Sequence, residues 1–160
     1  MKNKFFIRLT IIFIFNILTF NLAYSEQFNF NVTEIEILDN GNLFKGLKRG
    51  VIEANNGVTI NANTFIYNKL TNILEAEGEV KIEDKLNNYV IFSKKMTFFK
   101  SDNIIKTKGF TEAEINSNYY IESSDVLFDL TYKELSSKRK SKINDQNNQI
   151  YYLDEFKFYV

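Results

Sequence analysis

The chain lacks four residue types, and each absence removes a kind of chemistry. Its 160 residues contain no cysteine, histidine, proline or tryptophan, and only six glycines. Without thiols and imidazoles there is no cysteine nucleophile, no histidine base and no thiolate or imidazole metal ligand. Disulfides are excluded for the same reason. We therefore expect no metal and no cofactor, and any enzyme of this composition would depend on carboxylates, hydroxyls, lysine or arginine.

The first 25 residues have the composition of an export signal. Three basic residues among the first eight precede an apolar run at 11–18, and Ala23 and Ser25 stand where a signal peptidase requires small side chains. We interpret 1–25 as a cleaved signal peptide and 26–160 as one domain. The alternative is an uncleaved anchor, for which the run is short, because a membrane span needs about 20 apolar residues. Removal of the signal leaves an acidic excess, which does not suit nucleic acid as a partner.

A pattern of about thirty residues recurs through the remaining chain. The four copies are INANTFIY at 60–67, IFSKKMTF at 91–98, IESSDVLF at 121–128 and YYLDEFKF at 151–158, spaced by 30 or 31 residues. Each copy begins with an apolar or aromatic residue and ends on an aromatic one. A second line, TNILEAEGEVKI from 71 and DNIIKTKGFTEA from 102, repeats at 31 residues. Such self-similarity indicates stacked copies of one structural unit.

Within each unit the apolar residues recur every second position, which predicts half-buried β-strands. The apolar positions slip by one between Ala62 and Phe65, and again between Ser93 and Met96. A slip in a period of two predicts a bulge or corner at which the strand bends. Asn, Asp and Gly cluster between the strands, as turns require. We expect roughly ten to twelve strands in an all-β protein made of stacked, bent hairpins.

Several of these segments resemble a known family. They are NVTEIEI at 31–37, FKGLKRGVIEANNG at 44–57, INANTFIYNKLTNILEAEGEVKI at 60–82 and YVIFSKKMTFFKSDNIIKTKGFTEAEI at 89–115. Together with the export signal they resemble the OstA-like (organic solvent tolerance) domain of lipopolysaccharide-assembly (Lpt) proteins. Within that family the chain looks most similar to the amino-terminal domain of the outer-membrane translocon (LptD), and then to the periplasmic bridge protein. The inner-membrane-anchored member fits if residues 5–23 are not cleaved.

The resemblance implies a twisted, V-shaped β-jellyroll whose apolar interior holds the lipid A acyl chains of lipopolysaccharide. It also implies a periplasmic, outer-membrane-associated protein that docks edge to edge with other Lpt-type jellyrolls. The aromatic last segment, QIYYLDEFKFYV, would be a poor bare edge, because an unpaired strand templates pairing with other chains. The chain stops where the translocon continues into a barrel, so a fragment, a truncated product and a single-domain relative all stay open.

The recurring apolar positions are the candidates for a lipid-facing surface, although alternation alone is what any β-sandwich core needs. The candidates are Ile60, Ala62, Phe65, Tyr67, Ile73, Val80, Ile82, Ile91, Met96, Phe98, Ile104, Ile121, Val126 and Phe128. Such a lining suits acyl chains, which gain about 0.8 kcal/mol for each buried methylene and need no directional partner.

Charged residues offer weaker candidates. The basic run at 138–140 could meet lipid phosphates, but a solvated loop explains it better. Carboxylates at Glu75, Glu77 and Glu79, or at Asp125 and Asp129, could form a glycosidase pair, but surface spacing explains them better. The first hypothesis is therefore a non-enzymatic lipid-transport module. A self-assembling structural or adhesive β-stack without lipid is the alternative, and a carboxylate hydrolase of envelope glycan is the third.

Overall fold

The computed structural model describes residues 28–54 and 57–160, so the expected signal peptide at 1–25 lies outside the described residues. In these ranges no helix is long and apolar enough to cross a membrane. Two short 3-10 turns occur at Asp39–Gly41 and Lys100–Asp102. The strands are β1 (Asn29–Val32), β2 (Ile35–Leu38), β3 (Leu43–Gly46), β4 (Gly50–Glu53), β5 (Val58–Ala62), β6 (Thr64–Asn68), β7 (Ile73–Asp84), β8 (Tyr89–Phe99), β9 (Ile104–Ile115), β10 (Tyr119–Ser124), β11 (Leu127–Asp129), β12 (Glu134–Ser137), β13 (Ser141–Asn144), β14 (Ile150–Leu153) and β15 (Phe156–Tyr159).

The all-β prediction is confirmed, with 15 strands in the described ranges instead of ten to twelve. The strands form one antiparallel sheet that divides into two branches. Branch A has the order β1-β4-β5-β7-β8-β9-β10-β13-β14, and branch B has the order β2-β3-β6-β7-β8-β9-β11-β12-β15. The three long strands β7, β8 and β9 belong to both branches. The count is higher than expected because the corner between the branches interrupts the other strands.

The corner between the branches is a line of bulges and bends. The pairing register of β8 with β9 shifts between Ser93 and Lys95, and Asn63 separates the end of β5 from the start of β6. Both predicted slips are therefore confirmed. In β7 the bend is made by Gly78, whose φ is +82°, a conformation in which glycine has no steric penalty. A Cβ at Gly78 would lie only 2.7 Å from Nδ2 of Asn63, so two strands meet closely at this point. The corner turns the flat ladder of hairpins into a V.

The two branches face each other across an apolar space, which we call the interior. Aromatic rings from opposite branches touch within it: Tyr89 of branch A lies 4.7 Å from Phe128 of branch B, and Tyr119 lies 5.0 Å from Phe158 (ring centroids). The thirty-residue repeat corresponds to one step of this arrangement, in which the chain crosses branch A, turns the corner and crosses branch B. Both branches therefore contribute one face to a common core.

Candidate functional site

Each branch presents a continuous apolar row to the interior. Hydrogen-bonded register places one residue from every strand of branch A in one row: Phe30, Ile52, Ile60, Ile82, Ile91, Ala113, Ile121, Ile143 and Tyr151. The matching row of branch B is Ile37, Phe44, Tyr67, Leu74, Phe98, Ile105, Phe128, Leu135 and Phe158. With neighbouring strands about 4.8 Å apart, nine strands give each row a length of about 40 Å.

These rows explain the repeat that the sequence displays. The first residues of the four copies lie in the row of branch A, on alternate strands, and the last residues of the copies lie in the row of branch B. The intervening strands supply the remaining members of each row. Successive copies of the thirty-residue repeat therefore lie two strands apart along each branch.

The interior is filled by side chains in its middle and ends exposed at both edges of the sheet. Ile60 and Phe98, near the centre of the rows, are 0% and 1% exposed, whereas Ile37 at the first edge and Tyr151 at the last edge are 57% and 45% exposed. The apolar surface thus runs from edge to edge. The two edges of the described sheet end in apolar side chains that any docked strand would cover.

Most of the sequence candidates lie in the interior. Those that are buried there are Ile60, Ala62, Phe65, Tyr67, Val80, Ile82, Ile91, Met96, Phe98, Ile121, Val126 and Phe128. The expected interior position of Ile73 and Ile104 is wrong: both are half-buried on the outer face of branch B, where Phe99 pairs with each of them. The next residues along the chain, Leu74 and Ile105, take the interior positions. Each is the second member of an apolar doublet, so the alternation alone was ambiguous there.

Sequence reasoning also missed further interior residues, both inside and outside the repeated motifs. Leu135, Ile143, Ala113 and Ile115 are buried in the same core. The alternation identifies the inward-facing residues if it is counted back in steps of two from a residue that is clearly interior. Such a count leads from Val80 to Leu74 and from Ala113 to Ile105. Phe28 lies just before β1 and carried no strand signal of its own.

The side of the V opposite the corner, which we call the mouth, is closed by a few contacts between the branches. Phe28 is wedged edge-on between Tyr67 and Phe98, with ring centroids 5.0 and 5.6 Å away, and the Lys100 ammonium lies 4.6 Å from its centre. Farther along the mouth, Nζ of Lys133 donates a hydrogen bond of 2.6 Å to Oδ1 of Asn87. Side-chain contacts of this kind can separate without breaking any strand pairing.

Polar groups at the mouth are held inside the apolar surroundings. Asp84 is 3% exposed and its Oδ1 accepts hydrogen bonds from the backbone N–H groups of Leu86 and Asn87. Burial, and secondarily the Asp84 carboxylate, raise the pKa of Tyr89 far above its usual range. Tyr89 therefore stays neutral throughout the physiological pH range.

The interior surface beside the corner changes in polarity along its length. In branch A the first strands present Val32 and Ala62 there, whereas Ser93, Thr111, Ser123 and Ser141 follow on the later strands. The hydroxyls bond to one another: Thr111 donates to Thr107 at 2.7 Å, and Ser123 and Ser141 are 2.8 Å apart. Buried hydroxyls with satisfied hydrogen bonds cost little stability. The interior is thus apolar toward the amino-terminal edge and hydroxylated toward the carboxyl-terminal corner.

The charged candidates have structural partners. Glu75 and Glu77 both contact Nζ of Lys95 at 3.3 Å, and these two carboxylates raise the pKa of Lys95. Asp129 accepts two backbone N–H groups in the turn that follows it. In the part of the chain that the structure describes, no group of three or more His, Cys, Asp or Glu residues could hold a metal ion. These carboxylates therefore act as turn caps and surface ion pairs.

The basic run at 138–140 lies at the corner of the last strands. Nε of Arg139 contacts Oδ2 of Asp125 at 2.9 Å, while the backbone N–H of Gly109 donates to Oδ1. The Gly109 N–H, and then Arg139, hold the pKa of Asp125 below its usual range. The carboxylate is therefore ionised at neutral pH and fixes the guanidinium in place.

Taken together, these features define an antiparallel β-jellyroll of V shape with an apolar interior that runs between two open edges. No protein-family model matches the chain, and no curated protein matches its sequence. Among solved structures its fold is similar to that of LptH of Pseudomonas aeruginosa, described as the LptA-homologous periplasmic component of the conserved lipopolysaccharide transport device. The TM-score is 0.58 at 12% sequence identity, over 81% of this chain and 95% of LptH. A match at this identity establishes the fold.

Proposed function

We propose that this chain is a periplasmic lipopolysaccharide-transport module that holds lipid acyl chains between its branches and passes them toward the outer membrane. The observation that carries the proposal is the pair of apolar rows, each about 40 Å long, which end exposed at both edges of the sheet. The shared fold with LptH supports it. Acyl chains are suitable ligands because burial of methylenes needs no directional partner.

In this proposal the lipid enters by separating the branches at the mouth. The side chains that fill the interior repack against acyl chains, while the corner and the strand pairing stay intact. Phe28, and the hydrogen bond between Lys133 and Asn87, are the contacts that open first. No chemical step is involved, so the direction of transport comes from energy supplied by other proteins of the assembly.

The edges are the proposed docking surfaces. β1 and β2 form one end of the described sheet, and β14 and β15 form the other. Pairing with an edge strand of another Lpt-type jellyroll would cover the exposed Ile150, Tyr151 and Leu153 and continue the apolar rows into the next protein. The resemblance to the amino-terminal part of LptD favours a place beside the outer membrane, and the likeness to LptH favours a place in the periplasmic bridge.

Photo-crosslinking tests the lipid proposal with a matched pair of adjacent positions. Phe98 lies in the interior, whereas Phe99 is half-buried on the outer face. A photoreactive phenylalanine at 98 should give lipopolysaccharide adducts in cells, and the same residue at 99 should give few. Ile60→Asp or Phe98→Asp should abolish adducts at other interior positions. Equal labelling at 98 and 99, or unchanged labelling in a folded Asp variant, would contradict the proposal.

A self-assembling β-stack without lipid is the second candidate, and the exposed apolar residues of β14 favour it. Light scattering on purified protein separates the two. Concentration-dependent filaments from which no lipid can be extracted would support the stack. Protein that carries extractable lipid and stays small would support the transport module.

A further inference from the structure

Tight turns border the mouth on both branches, and four of them surround the contacts that close it. These four turns, which we call the rim, are 69–72, 100–103 and 130–133 in branch B and 85–88 in branch A. Backbone hydrogen bonds join neighbouring turns of branch B. The N–H of Lys100 donates to the carbonyl of Asn72 at 3.1 Å, and the N–H of Leu130 donates to that of Asn103 at 2.9 Å. The rim is therefore a continuous part of the fold.

Three turns of the rim each hold a large apolar side chain out in the solvent. Leu86 is 83% exposed, and Leu70 and Tyr132 are both 72% exposed, which places them among the four most exposed large apolar side chains of the described residues. The turns that carry them are fixed by side-chain caps. Oδ1 of Asn68 accepts the N–H of Leu70 at 2.9 Å, Oδ1 of Asp84 accepts that of Leu86 at 2.8 Å, and the third turn has an equivalent bond. The exposure is therefore built into the turns.

A lysine is the neighbour in sequence of each of these three apolar residues. The lysines are Lys69, Lys85 and Lys133. Among the ion pairs of the described residues, none involves any of the three. The carboxylates of Asp84 and Asp129 instead accept backbone N–H groups within the turns, and Asp102 is the exposed carboxylate of the rim. The charge that the rim presents to the solvent is therefore mainly positive.

The spacing of these side chains suits a lipid bilayer better than a folded protein. The turns of Leu70 and Tyr132 are four strands apart in branch B, a separation of about 20 Å, and Leu86 lies on the other branch. Protein–protein interfaces have a contiguous, well-packed core, which three separate side chains do not supply. In a bilayer interface each apolar side chain can insert independently, and the lysine beside it keeps its ammonium group among the lipid head groups.

We propose that the rim docks on the surface of a phospholipid bilayer, with Leu70, Leu86 and Tyr132 inserted among the lipids and the neighbouring lysines at the phosphates. The inference goes beyond the transport function, because it concerns a membrane surface and needs no lipid in the interior. Docked protein has its apolar rows parallel to the bilayer and both edges of the sheet uncovered. Jellyrolls joined across the periplasm have their rows along the membrane normal, so rim docking applies to protein outside such an assembly.

The test is cosedimentation with vesicles of phosphatidylcholine, with and without phosphatidylglycerol. Wild-type protein should bind both kinds of vesicle, and the vesicles with phosphatidylglycerol more tightly. Leu70→Ser with Leu86→Ser should lower the affinity at least tenfold, because two apolar side chains no longer leave water on docking. Both residues are exposed in the free protein, so this variant should fold normally. The matched control is Leu47→Ser with Ile66→Ser, which alters two exposed aliphatic residues outside the rim and should match wild type.

Two further measurements examine the lysines and the depth of insertion. Lys69→Gln with Lys85→Gln should lower the affinity for phosphatidylglycerol vesicles about fivefold for each lysine, and should change binding to pure phosphatidylcholine little. Because the chain has no cysteine, Leu86→Cys can carry an environment-sensitive fluorophore, whose emission should shift to the blue when vesicles are added. The same label on Leu47→Cys should show no shift.

Three results would overturn the inference. Wild-type protein that stays in the supernatant with both kinds of vesicle does not dock, and an equal loss in the control means that the rim is not the docking surface. If wild type ignores vesicles but associates with itself in sedimentation velocity, and Leu70→Ser with Leu86→Ser abolishes this association, the rim binds a second copy of the chain. None of these results depends on lipopolysaccharide crosslinking at position 98, so the transport function is tested separately.

Discussion

Lys133 and Asn87 are 46 residues apart in the chain, and the 2.6 Å hydrogen bond from Nζ of Lys133 to Oδ1 of Asn87 joins the two branches at the mouth. Asn87 belongs to the turn between β7 and β8, and Lys133 to the turn between β11 and β12. The Asp84 carboxylate positions Asn87 by accepting its backbone N–H at 3.0 Å. This contact opposes separation of the branches but contributes nothing to the strand ladder.

Removing this contact should ease lipid uptake. Lys133→Ala deletes one exposed hydrogen bond, whose net contribution is about 1 kcal/mol, so the population with an open mouth should rise about fivefold. Lipid crosslinking through position 98 should increase by a similar factor, with little change in the urea midpoint. An unchanged crosslinking yield would show that the mouth is not the route.

A covalent closure of the mouth should have the opposite effect. Because the chain has no cysteine, Asn87→Cys with Lys133→Cys can be joined selectively by a short bifunctional thiol reagent. The joined protein should take up no lipid. Ile66→Cys with Glu75→Cys is the control, since these residues pair on the outer face of branch B and their linkage does not span the mouth. Loss of uptake in both linked proteins would point to a general effect of the reagent.

The two neighbouring phenylalanines of β8 should differ in their contribution to stability. Phe98 is 1% exposed in the centre of the interior, and Phe98→Ala should lower the free energy of unfolding by about 3–5 kcal/mol. Phe99→Ala on the outer face should cost about 1 kcal/mol or less. Urea denaturation measures both. Similar losses for the two variants would mean that the interior is not the core of the fold.

Periodicity predicted the architecture because side chains alternate strictly along a strand. The thirty-residue spacing fixes which residues share a row, and the slips at Ala62–Phe65 and Ser93–Met96 locate the corner. The prediction of which residue faces inward was wrong at Ile73, because Ile73 and Leu74 are both apolar and either could face the interior. A count from an unambiguous neighbour, Val80, would have resolved it.

The apolar alternation could not predict the cluster of buried hydroxyl groups. Thr111, Ser123 and Ser141 are separated along the chain by 12 and 18 residues, and only the register of three strands brings their hydroxyls together. In the sequence Ser123 shares the phase of Ile121, but the alternation does not show which hydroxyls its own will meet.

The bend at Gly78 should tolerate no side chain. Gly78→Ala puts a Cβ at φ +82° and 2.7 Å from Nδ2 of Asn63, so both strain and a clash oppose it. We expect a loss of about 2–3 kcal/mol. Gly109→Ala is the control, because φ is +80° there but nothing lies within 4 Å, and strain alone costs about 1 kcal/mol. Asn63→Gly should restore part of the stability of Gly78→Ala, and equal losses at the two glycines would exclude the clash.

Asp125 should make the stability of the corner depend on pH in the acid range. Its folded pKa is lowered by the Gly109 N–H and by Arg139, so the carboxylate stabilises the folded protein above its unfolded pKa, near 4. This stabilisation is lost as the pH falls through the lowered pKa. Asp125→Asn should therefore be less stable than wild type at pH 5–7, by about 1 kcal/mol or less because the group is partly exposed. The difference should shrink below pH 4.

Arg139→Gln provides the companion measurement, since it removes the ion pair but leaves the Gly109 N–H in place. Its stability difference from wild type should be smaller than that of Asp125→Asn and should diminish over the same acid range, because protonation of Asp125 removes the partner charge in wild type as well. Thermal unfolding between pH 3 and 7 measures both curves. A difference that stays constant over this range would show that the Asp125 carboxylate does not couple to folding.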